Sequence, residues 1–263
     1  MDLFTPRPEP IEYILTGKTE SVLPFLENYK GTQKELKKLI NAKDDDERTA
    51  LHWLCSIVHK LNLQIALKFI ECGAEVDTAD DMGTSTLISA CSTNQLKLAK
   101  LLIEKGAQIN HRDKNGRTAL SFASAKGNLE TARLLIKKNA KVNLGDKRKQ
   151  TPLHKSILSA RAPLALIQLL IENGASIDRL DSEEMSPLHY ACEDATEENF
   201  EKILFLIKYG ADLDNENSKK KKPLDLIRGK NFKKKVLQLI EKEQEKQKME
   251  NENEKEKEKE KEK

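Results

Sequence analysis

The apolar positions of this chain follow helical spacing in short runs, and the runs recur. In the segment from Asp113 to Val142, Leu120 and Ala123 give an apolar face to a short helix that begins after an N-capping Thr118. Gly127 and Asn128 interrupt it. Leu129, Ala132, Leu134, Leu135 and Ile136 then form the buried face of a second helix, which ends at Asn139, a residue type that tolerates the left-handed conformation of a helix C-terminus. The unit is therefore a helix pair. The same pattern, aligned on Leu120, returns at Leu51, Leu87, Leu153, Leu188 and Leu224, with spacings of 36, 33, 33, 35 and 36 residues. A period in this range, held through six copies, predicts an all-α solenoid of stacked helix pairs joined by hairpin-like loops.

The spacings hide a stricter rule. From the helix-ending residue of one unit (Gly73, Gly106, Asn139, Gly174, Gly210) to the key leucine of the next is always 14 residues, so all length variation falls between the two helices of a pair. The linking loops must stack on one another, whereas the turns at the other end are expected to be free in solvent. The loop side is thereby marked as the working face.

This organisation gives a degenerate capping unit at 1–43, five repeats at 44–214, a C-terminal cap at 215–240 and a Glu/Lys tail at 241–263. In the first, Pro24 shortens or kinks a helix and Thr32 to Glu35 reads as a capping box. Residues 1–8, with two prolines, are expected to be mobile. The tail holds ten Glu and eight Lys and is expected to be solvated rather than packed.

Composition adds boundaries. With 38% apolar, 34% charged and only 5% aromatic residues, the chain suits helix pairs that bury surface only against neighbours. The first ten residues lack the basic start and apolar run of a signal peptide, and no stretch approaches the length of a membrane span. Cys55, Cys91 and Cys192 each lie four residues after a key leucine, in a small buried slot, which fits a reducing compartment and packing rather than zinc. A cytoplasmic location is expected. Lys219–Lys222 before Pro223 also resembles a short nuclear-import signal, against the plainer reading of an exposed cap loop.

The units, with Asp113-x-x-Gly-x-Thr-Ala-Leu and Asp146 followed by Thr151-Pro-Leu-His154, resemble ankyrin repeats from about Pro10 to Ile240. That resemblance implies structural roles for His52, His154 and His189, each three residues after Thr49, Thr151 or Ser186, in fixing the turn. With no nucleophile elbow, phosphate loop or metal motif, an enzyme is not expected, and no cofactor or metal is implied. On the loop face the exposed positions read Asp45, Asp46, Arg48, Trp53; Asp81, Met82, Thr84, Ser89; Lys114, Asn115, Arg117, Phe122; Lys147, Arg148, Gln150, Lys155; and Ser182, Glu183, Met185, Tyr190. Alternating acidic and basic blocks suit a protein surface better than a phosphate backbone. Trp53, Phe122 and Tyr190 would be its anchors, unless they only pack over the neighbouring helix.

The succession Arg48-Thr-Ala-Leu-His-Trp53, Asp80-Asp81 with Gly83, Lys105 to Asn110, Ser186-Pro-Leu-His189 and Glu216-Asn217 is similar to the gankyrin family of proteasome regulatory-particle assembly chaperones. The resemblance implies a monomer whose concave face grips the C-terminal domain of a proteasomal ATPase subunit, with Arg48 and Lys126 pairing with acidic residues. The partner-binding set is thus Arg48, Trp53, Arg117, Phe122, Lys126, Lys155 and Tyr190, with neither nucleic acid nor membrane as partner. Two readings compete with it: an adaptor for an unrelated protein, and a nucleic-acid-associated factor using Lys219–Lys222 and Lys233–Lys235.

Overall fold

The computed structural model describes residues 9–194 and 196–242. Among them are fourteen α-helices and no strand. The order is α1 (Glu9–Leu15), α2 (Val22–Glu27), α3 (Gln33–Ile40), α4 (Ala50–Ser56), α5 (Asn62–Glu71), α6 (Thr86–Ser92), α7 (Leu96–Glu104), α8 (Ala119–Ala125), α9 (Leu129–Lys137), α10 (Pro152–Leu158), α11 (Leu164–Glu172), α12 (Pro187–Glu193), α13 (Glu197–Lys208) and α14 (230–242). The short helices of the pairs, α4, α6, α8, α10 and α12, stack in one row, and their longer partners α5, α7, α9, α11 and α13 in a second. The first row is the more closely packed, because alanine and serine (Ala50, Ser89, Ala90, Ala119, Ala123, Ala191) let its backbones approach. The stack therefore curves toward the first row and its loops. The core runs along the whole stack, with the key leucines 51, 87, 120, 153 and 188 all buried.

Each first helix starts as its sequence dictates. Thr118 accepts a hydrogen bond from the Ser121 amide, and Thr49, Thr151 and Ser186 form capping boxes with His52, His154 and His189. The helix-ending residues Gly73, Gly106, Asn139, Gly174 and Gly210 all have positive φ.

The constant linker has a geometric cause. Successive loop tips, the fingers, are joined amide to carbonyl: Asp81 to Asp46 at 3.0 Å, Lys114 to Met82 at 2.9 Å, Lys147 to Asn115 at 2.8 Å, Ser182 to Arg148 at 2.9 Å and Ser218 to Glu183 at 3.1 Å. A second rail runs along the helix ends, where Asn41, Asp77, Asn110, Asn143 and Asp178 accept amides of Glu75, Gln108, Lys141, Ser176 and Asp212 at 2.8–3.1 Å. One residue more or fewer would break both.

Two expectations need correction. The helix turns are not simply free in solvent. Gln95 donates to the Cys55 carbonyl at 2.8 Å, and the buried Lys202 ammonium donates to the Ser159 carbonyl at 2.8 Å, so the turns of repeats one and four are held by the next repeat, while Asn199 holds the turn of repeat five from within. The sixth unit does not repeat the pair: Pro223–Asp225 makes only a 3₁₀ turn, Leu224 is half-buried, and α14 closes the stack through buried Val236 and Ile240. At the other end α3, with the expected Thr32–Glu35 box, is a full helix, its Lys37 stem against Gly73. The readings of 1–8 as mobile and of the tail from 243 as solvated lie outside the described residues.

Candidate functional site on the finger side

The site is built on one repeated acid. The carboxylate Oδ1 of Asp44, Asp80, Asp113, Asp146 and Asp181 accepts the amides two and four residues on, at 2.7–3.1 Å, closing each finger, and Asn217 does the same in the sixth. The second oxygen, Oδ2, is left for side chains, and it is here that most of the predicted partner-binding residues sit. Trp53 donates its indole N–H to Asp44 at 2.7 Å. Arg48 reaches across to Asp80 of the next finger at 3.3 Å. Arg117 pairs with its own Asp113 at 2.7 Å, Lys155 with Asp146 at 2.7 Å, and Tyr190 donates to Asp181 at 2.6 Å.

The cations also lie on the rings. The Arg48 guanidinium is 5.0 Å from the Trp53 ring centre and Arg117 is 4.5 Å from Phe122. Arg48, Trp53, Phe122, Lys155 and Tyr190 are consequently half-buried at the joint between finger and first helix, where the three rings pack against the edge of the core. Arg117 sits at the edge of exposure, its side chain 37% accessible. Lys126 differs. It is exposed at the C-cap of α8 and makes no ion pair among the described residues.

Three positions read as exposed are buried: Ser89, Gln150 and Met185. Gln150 is the instructive one. It donates to Asp181 at 3.1 Å and to the Tyr190 hydroxyl at 2.8 Å while accepting from Lys155 at 2.6 Å, so it couples the fourth finger to the fifth. Burial pushes the Asp181 carboxyl up, but bonds from Tyr190, Glu183, Gln150 and Met185 outweigh this and hold it below its ordinary value. Burial and the Asp181 charge together push the Tyr190 phenol well above the usual tyrosine range. A repeated aspartate was visible in the sequence. That its free oxygen would organise the working face was not, because the partner switches between two register positions, three residues before the key leucine (Arg48, Arg117, Gln150) and two after it (Trp53, Lys155, Tyr190), and at Asp80 it comes from the preceding repeat.

Two hollows lie along this face. One of about 230 Å³ is bounded by Arg117, Asp146, Lys147, Arg148 and Lys155. The other, of about 170 Å³, is bounded by Arg148, Met185, Tyr190, Asn217 and Lys219.

The histidines have structural partners. Nδ1 of His52, His154 and His189 faces the capping hydroxyl at 2.8–3.0 Å and accepts the amide of the same residue, while Nε2 lies 3.1–3.2 Å from the carbonyls of Thr84, Met185 and Lys221 in the next finger. Accepting at Nδ1 fixes the Nε2–H tautomer, which donates to those carbonyls. Desolvation lowers all three pKa values. Burial raises the Cys91 and Cys192 thiols to about 12. Among the described residues no His, Cys, Asp or Glu cluster is arranged to hold a metal, and no helix is long and apolar enough to cross a membrane.

A family model described as ankyrin repeats (3 copies) matches residues 17–113, 54–146, 106–181 and 140–218. The crystal structure of the human ASB11 ankyrin repeat domain superposes with a TM-score of 0.73 at 23% identity, covering 88% of this chain and 96% of that one. A sequence search of curated proteins finds no match. Finger loops clamped by aspartate, boxed first helices and a stack matched from residue 17 to 218 lead to one assignment: the chain belongs to the ankyrin-repeat family, whose fold is a protein-interaction scaffold.

Proposed function

We propose that the finger side of this stack grips the acidic C-terminal helical domain of a proteasomal ATPase subunit, and that the protein acts as a chaperone in regulatory-particle assembly. The carrying observation is the row of cations held ready along one face: Arg48 on Trp53, Arg117 on Phe122, Lys155 on Asp146, with Lys126 exposed beside them. Held on rings and carboxylates, these side chains lose little freedom on binding, so charge-assisted contacts set the register of a helical partner. The similarity of Arg48 and Lys126 to the cations of that chaperone family supports the choice of partner. The domain division into two caps and five repeats, the use of Arg48, Trp53, Arg117, Phe122, Lys126, Lys155 and Tyr190 as contacts, and a cytoplasmic location belong to the same proposal.

The test is recovery of partners from native lysate with wild-type protein and with R48E/K126E. Base ATPases are expected with the wild type, and their loss from the variant at unchanged helicity. Undiminished recovery by the variant removes the reading, and recovery of other proteins alone replaces it with a different adaptor role.

A further inference from the structure

The charge on this stack is sorted by unit. From Glu9 to Lys43 there are six cations and five acids. From Asp181 to Glu216 there are two cations and eleven acids. From Asn217 to Lys235 there are nine cations and a single acid, Asp225. Closing a solenoid end requires polar residues, but the N-terminal unit meets that need with mixed signs. A cap of one sign suffers self-repulsion that mixed charge would avoid.

Part of this cationic charge is spent inside the molecule. Lys222 pairs with Asp214 at 2.7 Å and Lys220 with Glu216 at 3.5 Å, which fastens the basic cap to the acidic segment before it, and Lys233 pairs with Asp225 at 3.4 Å within the cap. Lys235 covers the Phe200 ring at 4.4 Å. The rest is not. Lys219, Lys221, Arg228, Lys230 and Lys234 are exposed and without an ion pair among the described residues. The fold draws them together. Asp225 accepts the Lys222 amide from the sixth finger at 3.3 Å and the Lys233 ammonium from α14, so finger and helix present their cations around one turn.

We infer that the C-terminal cap is a second docking surface, separate from the finger-side groove, and that it takes a short acidic polypeptide segment. Nucleic acid fits it less well. A phosphate backbone carries its charge continuously, and a strand longer than the cap would run onto the fifth repeat, where acids outnumber cations eleven to two. A short run of Glu and Asp ends before that boundary.

The experiment uses the full chain and a fluorescein-labelled polyglutamate peptide, with oligothymidylate of equal charge as the second probe. The variant K221E/K230E/K234E changes exposed side chains only and leaves Lys219, which borders the groove, in place. Fluorescence anisotropy is expected to show polyglutamate binding weakened about tenfold in this variant. The groove variant R48E/K126E is expected to stay within about twofold of wild type. Zero-length carbodiimide cross-links are expected on Lys221, Lys230 or Lys234. Equal loss in both variants, cross-links confined to Lys114, Lys126 and Lys147, or tighter binding of oligothymidylate than of polyglutamate each overturns the inference. Loss of ATPase recovery by R48E/K126E bears only on the groove, so the two proposals fail independently.

Discussion

The two edges of the stack obey different rules. On the finger edge each loop has the same length, is closed by the Oδ1 of an aspartate or, in the sixth, of Asn217, and is bonded to its neighbour; on the helix-turn edge, lengths differ and Val58 is 72% exposed. The difference teaches where the fold is over-determined. Fingers are fixed by one device repeated in every unit, an aspartate or asparagine inside and the ladder at the side, whereas each helix turn is held by its own set of side chains, Asn62, Thr93 and Gln95 at the first and Asn199 at the fifth.

The sharpest way to break this contrast is Asp113→Ala. It strips two amides and the Arg117 guanidinium of their shared acceptor at a buried site, and about 3 kcal/mol of stability is expected to go, read by urea unfolding. The groove on repeat three should loosen with it. Gly127→Ala tests a helix turn that is tightly confined. Its φ is +71° and an added Cβ would lie 2.5 Å from the Arg161 carbonyl oxygen, so about 2 kcal/mol is expected to be lost.

Acid should act on the finger edge next. His52, His154 and His189 are held neutral by burial, with pKa values below the ordinary 6.5, so the unfolded chain takes up protons that the folded chain refuses. Stability is therefore complete above about pH 6.5 and falls as pH drops through the depressed folded values. Thermal melts between pH 7 and pH 5 are expected to show a falling midpoint. His154→Gln should flatten that slope while lowering the midpoint at neutral pH.

Two smaller effects sharpen the comparison. Glu47, Lys149, Glu184 and Lys220 occupy the finger position that Gly83 and Gly116 fill elsewhere, all with φ of 56–59°. Lys149→Gly or Glu184→Gly is expected to stabilise by up to about 1 kcal/mol, visible as a raised melting midpoint, because the left-handed conformation strains a residue with a Cβ. Smallest of all, inserting Gly-Ser after Lys60 should cost under about 0.6 kcal/mol in urea unfolding, since lengthening a flexible turn adds little closure entropy.

Much of the fold was legible because it is local and repeated. Thr118, Gly127 and Asn139 each act within their own turn, and a signal copied five or six times is read even where single copies are poor, as at Ser85-Thr86-Leu87-Ile88. The candidate site was less legible. Trp53, Phe122 and Tyr190 stand out as aromatic residues at one register, yet their half-burial follows from partners in the loops. Gln150 and Met185 looked like exposed finger residues, although the neighbouring finger covers them. The C-terminal cap misled in another way: Leu224 keeps the register while the missing threonine removes the cap, so a 3₁₀ turn replaces the first helix.

What the chain determined by itself is the helix pair, its caps, its period and the constant 14-residue link, because these rest on backbone preferences and apolar spacing within a few tens of residues. What only the tertiary structure decided is where each charge is spent. A side chain of one repeat chooses its partner among groups up to about 40 positions away, as Gln150 and Tyr190 do, and that choice is settled by which groups stacking brings within hydrogen-bond reach.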